Sequence, residues 1–438
     1  MFLSASTDYF VAIRIEATDD AKKRRSWLLL SLGVNIGLLC YFKYLFFILD
    51  NAVTVLNLFG HEVRMPVLNI ILPLGISFYT FETISYVVDV YRRFIPAEKS
   101  FLMYGCFVTF FPKLVAGPVL RAAEMLPQFS ATPVFGLESF VSGLRRILFG
   151  IFLKVVLADN IAPLVDAGFT QPVSTLSALD VFTLAFLFGF QIYFDFSAYS
   201  SIAIGSARLM GIHVPENFNF PYIASSPRDF WQRWHISLSS WIRDYLYLPL
   251  LGLKVRDRSA SGLSVDVGAA HQNTRHPLIA LFLTWAIMGL WHGANWTFVL
   301  WGLYHASLIT GYRMIAAPTS KLPTWIRRYG GWTITLPLVM LGWIPFRAKT
   351  VDDSFAMFGK LISPQDYLWL GMRENTYLIA AVVLILCILA YSVHWASGRL
   401  RFQWVWPSFL IQIAVMSVVI GLNFVFLRPI SQFIYFQF

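Results

Sequence analysis

Long apolar stretches with few charged residues recur along this chain of 438 residues. At about 1.5 Å per helical residue, about 20 apolar residues cross the roughly 30 Å hydrocarbon core of a bilayer. The windows that reach this length with at most one charged residue are Trp27–Leu49, Met65–Val88, Val181–Ala207, Asn375–Gly398 and Phe402–Leu427. A further run, Pro277–Tyr312, has no Asp, Glu, Lys or Arg over 36 residues. The pattern predicts about eight to ten membrane segments in an all-α fold.

Composition supports a membrane setting for these segments. Hydrophobic residues make up 57% of the chain and charged residues only 13%, about half the charged share of an average soluble domain. Helices satisfy their own backbone hydrogen bonds inside lipid, so this composition predicts a polytopic transmembrane helical protein. We therefore expect a multi-pass protein of the cell (inner) membrane.

The net charge of +10 suggests nucleic acid as a partner, but the positions of the basic residues argue against it. They form short clusters at the edges of apolar stretches: Lys22–Arg25, Arg92–Arg93, Arg145–Arg146, Lys254–Arg258 and Arg327–Arg328. Such clusters are typical of loops held on the cytoplasmic side, where they face anionic lipid. The charge pattern therefore predicts membrane lipid as a partner and no nucleic-acid site. Between two of these regions, Lys254–Arg275 is polar and rich in small residues and is predicted to be a flexible loop.

The segment Pro227–Pro249 is too highly charged for a lipid-exposed span and too aromatic for an ordinary loop. On a single helix, residues at spacings of three and four form one largely aromatic stripe: Trp231, Trp234, Leu238, Trp241 and Tyr245. The pattern predicts an interfacial or re-entrant helix. His235 lies beside the stripe. It is either a solvated histidine on a membrane anchor or part of a site.

His292 lies in the middle of the longest uncharged run, Pro277–Tyr312. A polar, titratable group at membrane depth is costly and is by default interpreted as functional. The neighbouring Gly293 permits close backbone approach, and Asn295 adds a second polar side chain. The alternative is a buried histidine that is hydrogen-bonded to a backbone carbonyl and packed between tryptophans.

A metal centre is a competing interpretation, with His235, His292 and His305 as nitrogen ligands. His292 and His305 are 13 residues apart, which is not the i, i+4 spacing of a helical ligand pair, and no carboxylate adjoins either of them. The sequence therefore favours no metal site.

Asp195 is a third polar residue of interest and lies near the centre of the apolar window Val181–Ala207. A charged side chain there costs about 2.5–3.5 kcal/mol unless it is paired or hydrated. Nearby hydroxyl groups are candidate partners: Tyr193, Ser197, Tyr199 and Ser201. Asp195 is either a structural hydrogen-bonding node, or a carboxylate that orients a histidine or lines a substrate tunnel. Both interpretations stay open, and we leave Asp195 out of the catalytic set.

Six segments in order resemble the bacterial, alginate-O-acetylation branch of the membrane-bound O-acyltransferase family. They are Leu72–Arg93, Pro112–Phe129, Gln191–Gly211, Pro215–Leu250, Gly289–Ala306 and Phe433–Phe438. The resemblance covers nearly the whole chain. It implies a single membrane domain over residues 1–438, with re-entrant and interfacial helices around a central tunnel.

The resemblance also implies roles for particular residues. His292, in WHGANW, matches the active-site histidine of the family, and His235, in FWQRWHISLSSW, matches the second motif histidine. Acyl transfer to an alcohol needs a base for the hydroxyl proton, and a neutral imidazole suits that task. Asn295 and Trp296 are candidate donors to the developing oxyanion. Together with Trp291 they form the predicted substrate-binding set.

Two features depart from the family pattern. The N-terminal apolar segments usual in the family are expected to be missing, because the chain begins about where the second of them would end. The glycine pair that follows the re-entrant proline in the family is replaced here by Leu250 and Leu251, between Pro249 and Gly252. The polar loop that follows is longer than the family pattern predicts.

The resemblance implies that the chain O-acetylates an exported polysaccharide. No bound cofactor is expected. The donor would be cytoplasmic acetyl-CoA or another acyl thioester, and an extracellular or periplasmic, acyl-esterase-like partner would complete the transfer. Two alternatives are D-alanyl or fatty-acyl transfer to teichoic acid or lipid and, from a different class, a transporter or flippase. An inverted repeat with paired broken helices would favour transport, and none is found in the sequence.

Overall fold

The computed structural model describes residues 1–66, 70–131, 136–253, 255–259, 262–265, 276–319, 321–400, 409–427 and 433–434. These residues are helical apart from turns, loops and one short antiparallel hairpin, β1 (Val255–Ser259) with β2 (Gly262–Val265). The predicted all-α class is confirmed. The hairpin lies inside Lys254–Arg275, so the prediction of a flexible loop is wrong for that part, and the rest of the segment lies outside the described residues.

The first half of the chain contains α1 (Phe2–Glu16), α2 (Ala21–Leu39), α3 (Leu45–Leu58), α4 (Ile76–Tyr91), α5 (Phe101–Val108), α6 (Ala122–Ser130), α7 (Leu137–Phe152), α8 (Asp159–Phe169) and α9 (Ala178–Leu209). Two joints are π-helical: Cys40–Tyr44 connects α2 to α3, and Leu153–Ala158 connects α7 to α8. Each pair therefore forms one continuous helical run. Among the described residues, the runs Ala21–Leu58 and Leu137–Phe169, together with α9, have the length and apolar composition to cross a membrane.

The second half contains α10 (Pro227–Arg233), α11 (Ile236–Ile242), α12 (Leu248–Leu250), α13 (Pro277–His292), α14 (Trp296–Thr319), α15 (Thr324–Leu341), α16 (Trp343–Arg347), α17 (Val351–Ile362), α18 (Glu374–Leu400) and α19 (Phe409–Val425). A third π-helical joint, Arg243–Tyr247, connects α11 to α12. Short 3₁₀ turns lie at Phe111–Lys113, Val173–Thr175, Pro221–Ile223 and Pro364–Tyr367.

Helix α9 lies at the centre of the larger hydrophobic cluster. A capping box between Ser177 and Asp180 starts it, which satisfies two backbone donors that the first turn leaves without partners. It packs against α7, α8 and the helices α15 to α18. The crossing with α7 is close because Gly143 and Gly205 face each other, and a Cβ on either would press on the other's carbonyl oxygen. Small residues of this kind let membrane helices approach closely.

Three predicted elements differ from the structure. The window Met65–Val88 is not helical throughout, because α4 begins only at Ile76, after Gly75 in the left-handed conformation (φ 70°). The run Pro277–Tyr312 is divided between two helices, α13 and α14. The segment Pro227–Pro249 is likewise broken, so its aromatic stripe does not lie on a single helix.

Candidate active site

The uncharged run folds back on itself as a hairpin of α13 and α14, with His292 at the end of α13. A Cβ on Gly289 would overlap the carbonyl oxygen of Phe298, and a Cβ on Gly302 would overlap that of Trp285. These two contacts pair the helices in antiparallel register at backbone distance. Residues from both helices therefore surround the histidine.

In the turn between the two helices, Asn295 and Trp296 of the WHGANW motif form hydrogen bonds that stabilise the turn itself. Asn295 Oδ1 accepts a hydrogen bond from the backbone N–H of Thr297 at 3.0 Å, which caps the start of α14. Trp296 is 54% exposed, and its indole N–H donates to Asn51 Oδ1 at 2.8 Å. Neither Asn295 nor Trp296 lies against the imidazole. The predicted oxyanion donors are thus occupied on the exposed side of the turn.

His292 is buried among aromatic rings. Its ring centroid lies 4.9 Å from Trp291, 5.0 Å from Trp301 and 5.3 Å from Phe346. Trp291 lies beside the histidine, and Trp301 supplies the second indole ring. Trp301 follows His292 by nine residues, so only the hairpin brings the two together. The groups that act electrostatically on the His292 ring are His235, Lys43 and His305.

His235 lies at the break between α10 and α11. Its backbone is left-handed (φ 41°, ψ 56°), a conformation that costs free energy in a residue with a Cβ and that clusters at functional sites. Its side chain is fully buried, so the interpretation as a solvated histidine is wrong. Its ring lies 4.7 Å from that of Phe196.

Asn217 fixes the tautomer of His235. The Nδ1–H of His235 donates to Asn217 Oδ1 at 3.0 Å, because a carbonyl oxygen can only accept. The same oxygen accepts from Ser237 Oγ at 2.8 Å, and Asn217 Nδ2 donates to Ser200 Oγ at 3.1 Å. Nε2 of the neutral ring therefore carries the lone pair. The sequence did not single out Asn217, although its place in PENFNF, in the same family-like segment Pro215–Leu250 that carries His235, was a usable signal.

His305 is the third buried histidine of the cluster. Its Nδ1 accepts from the indole N–H of Trp231 at 3.4 Å, and its ring lies 5.0 Å from that of Trp301. Nε2 is buried and, among the described residues, has no hydrogen-bond partner. Within the described ranges no three His, Cys, Asp or Glu side chains are arranged to hold a metal ion. His292 and His305 share an aromatic enclosure in which both rings contact Trp301, whereas the ring of His235 lies against Phe196.

Asp195 lies apart from the histidines, in a buried ion pair. Its Oδ1 accepts from Lys154 Nζ at 2.5 Å, and its Oδ2 accepts from the backbone N–H of Ile434 at 2.7 Å. The predicted hydroxyl partners on its own helix are wrong. Lys154 comes from the π-helical joint after α7, and Ile434 from the C-terminal FIYFQF segment. Asp195 therefore links three distant parts of the chain.

A cavity of about 690 Å³ lies between α14 and α15. Apolar residues such as Ile315 and Leu338 line it, and Arg233, Arg327 and Arg328 supply positive charge. Two of the lining residues on α14, Ser307 and Leu308, come shortly after His305 on the same helix. The cavity is therefore amphipathic, and its lining on α14 begins two residues after His305.

Comparison with known proteins places this site in a family context. The profile described as the membrane-bound O-acyltransferase family matches residues 95–342, which include all three buried histidines. A probable alginate O-acetylase of Azotobacter vinelandii is 38% identical over 90% of this chain and 74% of its own length. A peptidoglycan O-acetyltransferase of Helicobacter pylori is 33% identical over 98% of this chain and 86% of its own length.

A teichoic acid D-alanyltransferase of Bacillus subtilis is also similar, at 29% identity over 63% of this chain and 67% of its own length. The similarity therefore extends across relatives whose names give different acyl groups and acceptors. The family profile covers more than half of the chain, and relatives above 30% identity cover nearly all of it. The chain belongs to the membrane-bound O-acyltransferase family.

Proposed function

We propose that this membrane acyltransferase moves an acetyl group from a cytoplasmic thioester to hydroxyl groups of an exported polysaccharide, directly or through a partner protein. One observation carries the proposal. His292, at the end of α13, and His235, at the break between α10 and α11, are both buried among aromatic rings. Neutral imidazoles in a water-poor site suit proton transfer from an alcohol.

The chemistry assigns His292 as the base. Its imidazole takes the proton of the acceptor hydroxyl as that oxygen attacks the thioester carbonyl, and a C–O bond forms. The tetrahedral intermediate then collapses, the C–S bond breaks, and the thiolate leaves with the proton from His292. His235, with Nε2 as its acceptor nitrogen, accepts a hydrogen bond from a hydroxyl group of the acceptor. Trp291 packs beside the reacting groups. Asn295 and Trp296 contact substrate only at the exposed side of the turn.

The amphipathic cavity supports a thioester donor. Arginine side chains pair with phosphate groups, and Arg327 and Arg328 line the cavity together with apolar residues that suit an acyl-pantetheine arm. Arg233, which also lines the cavity, is held in an ion pair with Asp229 at 2.7 Å. By the positive-inside pattern, Arg327 and Arg328 lie on the cytoplasmic side. A multi-pass arrangement in the inner membrane places the donor in the cytoplasm and the acceptor on the opposite face.

The names of the relatives support a polysaccharide acceptor. Relatives at 33–38% identity are named for O-acetylation of alginate and of peptidoglycan, and both acceptors are exported polymers of sugars. We propose an extracellular or periplasmic, acyl-esterase-like partner that passes the acetyl group to the polymer. Transfer of D-alanine is the second candidate, supported by the teichoic acid D-alanyltransferase at 29% identity.

The donor class is tested by incubating the purified enzyme in parallel with radiolabelled acetyl-CoA, long-chain acyl-CoA and an acyl-charged carrier protein. We expect transfer or hydrolysis of label from acetyl-CoA, and none when His292 is replaced by Ala. Activity with the charged carrier protein alone would favour D-alanylation. Activity with long-chain acyl-CoA alone would favour a lipid acceptor.

A further inference from the structure

Lys43 is the only charged residue of the window Trp27–Leu49 and lies on the π-helical joint between α2 and α3. Its ammonium group reaches across the molecule to the end of α13. Nζ donates to the carbonyl oxygen of Trp291 at 2.6 Å and to that of His292 at 3.2 Å. Its third contact is Ser77 Oγ at 3.4 Å. All of its hydrogen-bond partners among the described residues are thus neutral oxygen atoms.

These carbonyl groups need an external donor. The last four C=O groups of an α-helix have no partner within the helix, and α13 ends at His292 inside the protein. A buried carbonyl group without a donor destabilises the folded state. A cation there also complements the negative end of the helix dipole. Lys43 therefore caps the helix whose last residue is the proposed base.

The π-helical joint explains how two adjacent residues reach the same helix end. On an α-helix, neighbouring side chains point about 100° apart. In the wider turn Cys40–Tyr44, Lys43 and Tyr44 both face α13, and the Tyr44 hydroxyl donates to the carbonyl oxygen of Leu290 at 3.1 Å. Three consecutive carbonyls of α13 are thus bound by one joint. Single π-turns inside helices often occur at functional sites.

The same helical run also holds the other side of the turn. Asn51, two helical turns after Lys43, accepts from the indole of Trp296, and the ring of Phe47 lies 5.4 Å from that of Trp296. One face of the run Ala21–Leu58 therefore contacts α13 before the turn and α14 after it. Both flanks of His292 are therefore fixed to the run Ala21–Leu58.

We infer that Lys43 is a positioning residue for the acyl-transfer reaction: it fixes the backbone of His292 and thereby the approach of its imidazole to the acceptor hydroxyl. The inference rests on the proposed role of His292 as the base. Displacement of a catalytic group by about 1 Å costs on the order of 100-fold in rate. Loss of Lys43 is therefore expected to lower kcat and to leave KM nearly unchanged, because the donor-binding cavity lies elsewhere.

The test compares Lys43→Met, Lys43→Ala and Tyr44→Phe with wild type in detergent, with Lys23→Met, on the exposed start of the same run, as the control. We expect kcat for acetyl transfer to fall on the order of 10–100-fold in Lys43→Met, with KM for the donor within about twofold. Tyr44→Phe, which loses one cap of three, should show a smaller fall in kcat. Propylamine should restore kcat of Lys43→Ala saturably, because its ammonium group replaces the lost donor.

Several outcomes separate this inference from the proposed function. A folded Lys43→Met variant with wild-type kcat would overturn the inference, and so would a raised KM at constant kcat. If neither Lys43 variant folds, Tyr44→Phe decides, and an unchanged kcat there counts against a cap that positions the base. If His292→Ala keeps its activity, the proposed function itself fails. Loss of activity in His292→Ala beside full activity in both Lys43 variants removes only the role of Lys43.

Discussion

The buried histidines differ in what holds each ring. Asn217 orients His235 through a hydrogen bond to Nδ1, whereas His292 is held by aromatic rings and by the cap on its own carbonyl. The ring of His235, whose tautomer is fixed, and the ring of His292, which is held at a helix end, have separate tasks. The arrangement supports a base at His292 and a binding or stabilising group at His235.

Replacing the histidines separately tests this division. His292→Ala should lower the rate of acyl transfer about 100-fold or more. The yield and the melting temperature in detergent should change little, because removing the imidazole makes the segment more apolar. His235→Ala should reduce activity less. Initial rates with labelled acetyl-CoA measure both effects. If His235→Ala proves the more damaging change, the two roles should be exchanged.

Asp195 is expected to act on stability. Asp195→Asn keeps the shape and one acceptor for the Ile434 N–H, and Lys154 retains Asp159 at 3.0 Å. Asp195→Leu removes the carboxylate from the Ile434 N–H and from the Lys154 ammonium group. Each group that loses its partner should lower the free energy of unfolding by about 1–3 kcal/mol. We expect a modest fall in melting temperature for Asn, a large one for Leu, and wild-type turnover per folded molecule for Asn.

An inactive but fully stable Asp195→Asn variant would contradict the structural interpretation and return Asp195 to the site. The carboxylate would then act through its charge, since Asn preserves the shape. Thermal unfolding and turnover measured on the same preparations distinguish the two cases.

Single residues of the site could be predicted where the sequence itself marks them. His292 interrupts an uncharged run, and His235 lies in a segment that is too aromatic for a loop. Their partners could not be predicted, because each contact joins distant parts of the chain. Lys43 is 249 residues from His292, and Lys154 is 41 residues from Asp195. Periodicity describes neighbours on one helix, and a lone charge in an apolar window does not indicate which helix end it meets.

The α13–α14 hairpin illustrates the same limit for secondary-structure elements. Hydropathy predicts an uncharged run of sufficient length, but the division into two helices depends on Gly293 and on glycines that permit backbone contact. The break at His235 was missed because α10 and α11 share an apolar periodicity across it. In contrast, α9 and α18 lie where apolar windows predict them, since each window falls within a single uninterrupted helix.

Gly302, like Gly289, leaves no room for a Cβ in this hairpin. Gly302→Ala would place a Cβ on the Trp285 carbonyl oxygen, so the helices must separate. Overpacking of this kind costs about 1–3 kcal/mol, and displacement of Trp301 would widen the enclosure around His292. We expect lower melting temperature and lower kcat together. Gly359→Ala, on α17 with open space around it, should leave both unchanged.

If Gly302→Ala matched Gly359→Ala in stability and kcat, the close packing of α13 on α14 would not set the geometry of the site. Melting curves in detergent and initial rates for the two variants provide the comparison. Gly302→Leu extends the series, since a larger side chain should worsen both effects.

At the scale of the whole molecule, α4 joins two hydrophobic clusters. Residues on one of its faces, such as Phe78 and Phe81, pack in the large cluster around α9. Residues on the other face, such as Tyr86 and Val87, pack in a second cluster with α1, α2 and α5. Phe81 also stacks on Trp241 and Trp291, so α4 connects the N-terminal cluster to the active-site enclosure.

A buried ion pair fixes α4 within this arrangement. Glu82 and Lys113, exposed by only 1% and 2%, form a salt bridge, and Glu82 Oε1 also accepts from the backbone N–H of Leu120 at 3.0 Å. Removing one partner of a buried pair leaves an uncompensated charge and costs about 3–5 kcal/mol, whereas replacing both with neutral groups is often nearly neutral. The two clusters should therefore separate more easily in the single variants than in the double variant.

We accordingly expect Glu82→Gln and Lys113→Met each to lower the melting temperature strongly, and the combined variant to recover most of the loss. Because α4 contacts Trp291, turnover per folded molecule should fall in the singles and recover in the double. Glu216→Gln, which breaks the exposed pair with Arg146, serves as the control and should cost no more than about 1 kcal/mol. If the losses of the two single variants simply added in the double variant, the pair would not be coupled. The link between the clusters would then depend on apolar packing along α4 alone.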